Sequence, residues 1–160
     1  MAKKEILTPC TGRWAPGQGG FHKIVEMDRL TCGRGWVVYN GSCYYFSTSA
    51  AVFKDAMVTC HGLGANMLEL QNAEEEIWID LQCRIRGYRY GVWLGVSDHQ
   101  YEGKFISISN ARSLSYSNWM KGEPNNFRGK EDCTLYWFLH RGWNDTACNG
   151  KINYVCKKGK

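Results

Sequence analysis

Five oxygen-bearing side chains gather late in the chain: Glu123, Asn125, Glu131, Asn144 and Asp145. The first three belong to Glu123-Pro124-Asn125-Asn126-Phe127-Arg128-Gly129-Lys130-Glu131, and the last two follow in Trp143-Asn144-Asp145. Carboxylates and amide carbonyls are hard ligands. They suit Ca²⁺, which takes six to eight oxygens at about 2.3–2.6 Å. No His or Cys is interleaved where a zinc ligand would be expected. Three of the five are acids, so the set over-neutralises a divalent cation. Pro124 separates Glu123 from Asn125. A cis bond there would swing both side-chain oxygens toward one point, and cis bonds are essentially a proline phenomenon. A trans bond would leave an ordinary polar proline loop. The second group of oxygens, between Cys133 and Cys148, favours the site.

The elements that must position these groups are legible in part. Asn40-Gly41, between two β-prone runs, predicts a type I′ hairpin, continued by Tyr44-Tyr45-Phe46. Asn40-Gly41-Ser42 is also an N-glycosylation acceptor, which fits an exposed turn. Ser47-Thr48-Ser49 offers helix N-caps. Phe53, Ala56, Met57 and Cys60 follow with helical spacing, and Gly62 and Gly64 are stop signals. Asn72 with Glu75 resembles a capping box. Ile77, Trp78 and Leu81 are read as the buried stripe of a second helix ending near Gly87. From Val92 the pattern changes to short strands: Val92–Val96, Phe105–Ile108, Thr134–Phe138 and Asn153–Cys156. The stretch 97–133 is a long connection. Loops beyond about 12–15 residues are usually functional or disordered, and this one holds ligands.

At 160 residues the chain is one domain with a tail. Residues 1–31 carry Cys10, Trp14, Pro16 and several glycines and read as an N-terminal extension, with a short helix expected over Phe21–Leu30. The net charge of +5 is local: Lys3, Lys4, Lys157, Lys158 and Lys160 lie at the two ends, and without them 15 basic residues face 15 acidic ones. A near-neutral body excludes a nucleic-acid footprint. No run is long enough to span a membrane. The eight cysteines contain no Cys-x-x-Cys pair, so disulfides and an oxidising compartment are expected rather than zinc or redox chemistry. Met1-Ala2-Lys3-Lys4 is followed only by Ile6-Leu7, too brief for a secretory leader, so a secreted, extracellular protein whose signal has been removed is expected. His22, His61, His99 and His140 are scattered and no nucleophile motif or phosphate loop is present, so an enzyme is not expected.

From Cys32 to Cys156 these pieces resemble a C-type lectin-like domain. The resemblance rests on Cys32-x-x-x-Trp36 with Cys43, a helix ending at Cys60, Gly64-Ala65-Asn66-Met67-Leu68, and the Glu-rich second helix. It continues through Trp93-Leu94-Gly95-Val96-Ser97-Asp98, Tyr116-Ser117-Asn118-Trp119, Glu123-Pro124-Asn125, and Trp143-Asn144-Asp145 before Cys148. The resemblance implies an α+β fold over 32–158, with two helices, small antiparallel sheets and a long calcium-binding loop region. It implies the bridges Cys32–Cys43, Cys60–Cys156 and Cys133–Cys148. Cys10 and Cys83 stay unassigned: they pair with each other, or they bridge subunits in a homo-oligomer.

Carried over residue by residue, the resemblance makes Glu123, Asn125, Glu131, Asn144 and Asp145 the principal Ca²⁺ ligands and the sugar-binding residues. Asp98, Glu102, Asn126 and Asp132 match an accessory calcium site, with Asn126 standing where an acid is frequent. The implied partners are glycans or glycoproteins. In the family Glu-Pro-Asn goes with mannose-type sugars (mannose, N-acetylglucosamine, fucose) and Gln-Pro-Asp with galactose. Phe127 complicates this, because it matches aromatics that stack on galactose. A protein-, mineral- or ice-binding role on the same fold is a further alternative. Asn144-Asp145-Thr146 also fits the glycosylation pattern but is expected to stay bare, since a glycan there would consume a ligand.

Overall fold

The computed structural model describes residues 32–159. The helix expected over Phe21–Leu30 and Cys10 lie outside them. Strands β1 (Val37–Tyr39) and β2 (Ser42–Phe46) form the expected hairpin. Asn40 and Gly41 both have positive φ, as a type I′ turn requires. Helices α1 (Phe53–Gly62) and α2 (Ala73–Ile85) flank the short strand β3 (Asn66–Met67). Then come β4 (Gly91–Ser97), β5 (Ile106–Ser107), β6 (Cys133–Trp137), β7 (Gly142–Thr146) and β8 (Asn153–Lys158). The main strand order is β1-β2-β8-β4-β6-β7. Every pairing between these strands is antiparallel except β4 with β8, where Val92 lies opposite Asn153 and Trp93 opposite Tyr154. That parallel contact was not expected, and it joins the two antiparallel parts.

Strand β4 is buried along its whole length, which is why it reads as a continuous apolar run rather than an alternation. Val92, Leu94 and Val96 pack in one cluster with Ile79 and Cys83 of α2. Trp93 points the other way, toward Phe53 and Ala56 of α1, with its ring edge-on to Phe53 at 5.4 Å. Cys60–Cys156 ties α1 to β8, Cys133–Cys148 closes the β6–β7 unit, and Cys32–Cys43 anchors the first hairpin. Cys83 is a free thiol at 0% exposure. Cys10, the other unassigned cysteine, lies outside the described residues.

Several local expectations are corrected. Helix α1 starts at Phe53 with Val52 as N-cap and no side-chain cap. Ser47, expected to cap it, is instead buried between strands and accepts from the backbone N–H of Tyr154. Met57 is exposed rather than core. In α2 the Asn72 cap holds, its Oδ1 accepting from the Glu75 N–H at 2.9 Å. The expected stripe holds only at Trp78, which stacks on Tyr39 and packs against the core: Ile77 and Leu81 face solvent, and Glu75, Glu76, Ile79 and Cys83 face inward. The Glu75 carboxylate accepts from the Tyr44 hydroxyl at 2.6 Å and the Gln71 N–H at 2.7 Å, and pairs with Lys157. Tertiary hydrogen bonds have outweighed the apolar spacing. Lys157 and Lys158, set aside above as tail charges, belong to the body, since Lys158 lies over the Trp36 ring. Residues 142–146, which carry two of the expected ligands, are strand β7.

Gly91 starts β4 where a Cβ would meet the Tyr136 carbonyl oxygen at 2.1 Å. Gly91→Ala must push β4 and β6 apart, and overpacking of this kind costs typically about 1–3 kcal/mol. Urea denaturation with the disulfides intact is expected to show a loss in that range.

Candidate metal centre

Strand β7 and the 123–131 segment build the site together. Asp145 is 0% exposed on β7, paired with Thr134 of β6. Its Oδ1 accepts from the backbone N–H of Asn125 at 3.0 Å, and its Oδ2 from that of Asn126 at 2.7 Å. One buried carboxylate thus pins the tip of the loop. The Glu123–Pro124 bond is cis. The Asn125 Nδ2 donates to Glu123 Oε1 at 2.9 Å, and the Phe127 N–H donates to both Asn125 Oδ1 and Glu131 Oε2. Four of the five expected principal ligands are therefore joined through one hydrogen-bonded unit. Asn144, half-buried on β7 beside Asp145, enters none of these hydrogen bonds among the described residues.

The accessory group is also assembled. Ligand oxygens of Asp98, Glu102 and Asp132 all lie within 4.8 Å of one another. The Asn126 amide donates to Glu102 Oε1 and accepts from the Glu131 N–H, so it bridges the two groups. Its backbone is left-handed, with φ 47°, a conformation that asparagine tolerates better than most residues. Asp98 follows directly on β4 and is 1% exposed, with Oδ2 accepting from the Gly103 N–H. Ser97 donates from Oγ to the Asp132 carbonyl at 2.6 Å and accepts from the His99 N–H, which fastens both strand ends under the acids.

Six carboxylates thus crowd two adjoining pockets. Among the described residues, one ion pair reaches them, His99 Nδ1 to Asp132 Oδ2 at 3.4 Å. Glu123 Oε2 and Asp98 Oδ1 are buried and have no hydrogen-bond donor. Buried oxygens are normally satisfied, so these two await a positive partner. Burial, the adjacent Asp145 carboxylate and the Glu131 charge push Glu123 up to about 7. Burial and the Asp145 charge also raise Glu131, against the Phe127 N–H, and Glu102 is raised by desolvation and by Asp98, Asp132 and Asp145. An all-oxygen set with acids in excess and orphaned lone pairs fits a hard divalent cation such as Ca²⁺.

A residue outside the expected set supports β7 from behind. Glu76 of α2 is buried and accepts from the Trp143 Nε1 at 2.7 Å and from the Asn118 amide. Trp143 immediately precedes Asn144 and Asp145, so α2 fixes the strand that carries two ligands. In sequence Glu76 sits among three consecutive glutamates of a first helical turn. Such acids read as dipole-complementing surface charge, and no local signal separates the buried ones. Phe127 lies in a 3₁₀ turn, Phe127–Gly129, 60% exposed beside the site. The Arg128 guanidinium lies 5.0 Å from its ring centre.

Known proteins can now be set beside this geometry. The sequence model of the family described as Lectin C-type domain matches residues 49–158. The chain is 33% identical over 130 residues to a Perlucin-like protein of Mytilus galloprovincialis, covering 79% of this chain and 83% of that one. It is 36% identical over 136 residues to CD209 antigen-like protein A of Mus musculus, covering 82% of this chain and about half, 55%, of that relative. The human scavenger receptor C-type lectin carbohydrate-recognition domain superposes with a TM-score of 0.74 at 28% identity, over 81% of this chain and 100% of that one. A calcium-independent type II antifreeze protein shares the fold alone, at 21% identity and a TM-score of 0.71, over 81% of this chain and 95% of that one. The chain belongs to the C-type lectin domain family, with the α+β architecture that the resemblance implied. No helix among the described residues is long and apolar enough to cross a membrane.

The raised Glu123 has a pH signature. Its folded pKa lies above the ordinary glutamate value of about 4.3, so the folded metal-free chain binds more protons than the unfolded one between these values. Stability in chelator is expected to fall as pH rises from about 4.3 to about 7. Glu123→Gln should flatten that slope, and added Ca²⁺ should reverse it, because metal binding favours the deprotonated acids. Thermal melts across pH, with chelator or with calcium, read all three.

Proposed function

We propose that residues 32–158, following an extension of residues 1–31, form a calcium-dependent carbohydrate-recognition domain for mannose-type sugars on glycans or glycoproteins. The observation that carries this reading is the buried, donorless Glu123 Oε2 within a group that also holds Asn125, Glu131 and Asp145. Ca²⁺ held by Glu123, Asn125, Glu131, Asn144 and Asp145 would supply open coordination positions for two neighbouring sugar hydroxyls. The carboxylates of Glu123 and Glu131 accept from those hydroxyls, and the amides of Asn125 and Asn144 donate to them. A carboxylate only accepts and an amide also donates, so the mixture selects hydroxyls that can do both. Asn125 and Glu123 are already 2.9 Å apart through one hydrogen bond, which supports a prearranged pair.

Asp98, Glu102, Asn126 and Asp132 would hold an accessory Ca²⁺ that stiffens the same loop. Asn126 brings no charge, so this site is the weaker of the two. The three disulfides suit an extracellular setting. Asn40, exposed at a hairpin tip, is the proposed glycan acceptor, and Asn144 stays bare.

A glycan array with and without calcium tests the function. Signal is expected on mannose, N-acetylglucosamine and fucose, and is expected to vanish in chelator. Signal confined to terminal galactose would replace the sugar class, with Phe127 as its stacking platform. Signal indifferent to chelator would remove the metal from the account.

A second test acts on the Glu-Pro-Asn segment. Glu123→Gln with Asn125→Asp interchanges acceptor and donor across Pro124. It is expected to weaken mannose binding more than about tenfold, the scale of one mispaired polar contact, and to raise galactose binding. Titration calorimetry with each monosaccharide measures both changes.

A further inference from the structure

Helix α2 carries an apolar stripe that stays largely exposed among the described residues. Ile77, Leu81 and Ile85 are 70%, 53% and 69% exposed. They are spaced four apart, so they lie on one face, while Ile79 and Cys83 of the same helix are fully buried. Leu139, 77% exposed, borders the C-terminal half of the stripe. It follows Phe138, whose carbonyl accepts from the Arg84 Nη2 at 2.6 Å. Beside the N-terminal half runs an open groove of about 550 Å³ lined by Ile77, Leu81, Tyr116 and Tyr136, with the acids Glu76 and Asp80 also in its wall. Contiguous exposed apolar surface of this kind marks an interaction site.

We infer that this face of α2 docks a second copy of the chain, with the two helices antiparallel about a two-fold axis through Leu81. The stripe is chemically symmetric about that residue, so Ile77 of each copy meets Ile85 of the other and Leu81 meets Leu81. Charge selects the same direction. Glu74 is exposed in the first turn and Arg89 just past the last, while Arg86 is held by Gln82 over the Phe46 ring. Antiparallel packing sets each acidic end beside a basic end, whereas parallel packing would set like against like. The groove, which reaches from Ile77 to Leu81, and Leu139, next to the Phe138 carbonyl that holds Arg84, lie on the β6–β7 flank of the stripe, toward its N- and C-terminal halves. The two-fold therefore brings each Leu139 over the other copy's groove. Such a self-complementary patch is what an isologous dimer requires. A dimer would also present two sugar sites at once, and linkage can raise avidity by about 10²–10⁴.

Sedimentation of the full chain tests the pairing independently of sugar and metal if it is run in chelator. Cys10→Ser is carried throughout, so that no covalent pair is counted. A reversible monomer–dimer equilibrium is expected below roughly 100 µM, a range that populates complexes of micromolar Kd. Leu81→Lys should weaken it more than about tenfold, and Ile77→Lys should do likewise; near-UV circular dichroism should be unchanged for both, because both side chains are exposed. Glu74→Arg should also weaken it, and adding Arg89→Glu should restore it. A monomer at every concentration, or a dimer indifferent to Leu81→Lys and Ile77→Lys, overturns the proposal. Failure of the double charge reversal to restore pairing overturns the antiparallel arrangement.

Discussion

A single buried carboxylate holds the functional end of the molecule in shape. Asp145 receives the backbone N–H groups of Asn125 and Asn126, one on each oxygen. It is fixed in turn by the β6–β7 ladder and by Cys133–Cys148. A buried acid is costly unless hydrogen bonds or a counter-charge satisfy it. Two backbone donors meet part of that cost. The other acids around it have fewer donors than lone pairs, and the excess negative charge is what suits the group to a cation.

That constraint propagates inward. The loop at 123–131 has little regular structure beyond one 3₁₀ turn, so it depends on the strand beneath it. The strand depends on Trp143, whose indole N–H is taken by Glu76 of α2. Helix α2 is held by Ile79 and Cys83 against β4, and by Glu75 against Tyr44 and Lys157. A chain of contacts therefore runs from the first hairpin to the ligand-bearing loop. Burial raises Glu76, against the pull of the Trp143 and Asn118 donors, which marks how much this support relies on those two hydrogen bonds being intact.

The division of labour on α2 is instructive. A helix in a small domain usually turns its apolar face inward and its acids outward. Here two acids of the first turn are inside and three aliphatics are outside. The acids are inside because polar groups of distant strands need acceptors there. The outward aliphatics remain more than half exposed.

The grouping of the oxygen-bearing side chains Glu123, Asn125, Glu131 and Asp145, which the structure brings together, was legible from residue types and order. So were the Asn40-Gly41 turn, the Asn72 cap and the β4 core strand, each of which depends on neighbours in sequence. The inward acids of α2 and the buried Ser47 have another cause. They are decided by partners 31 and 107 residues away, Glu75 with Tyr44 and Ser47 with Tyr154, and period-based reading has no access to those. The sequence by itself determined which atoms could bind a cation. Tertiary structure alone decided that Glu123 and Asn125 would gather over the buried Asp145, because only folding strips water from carboxylates and leaves them short of donors.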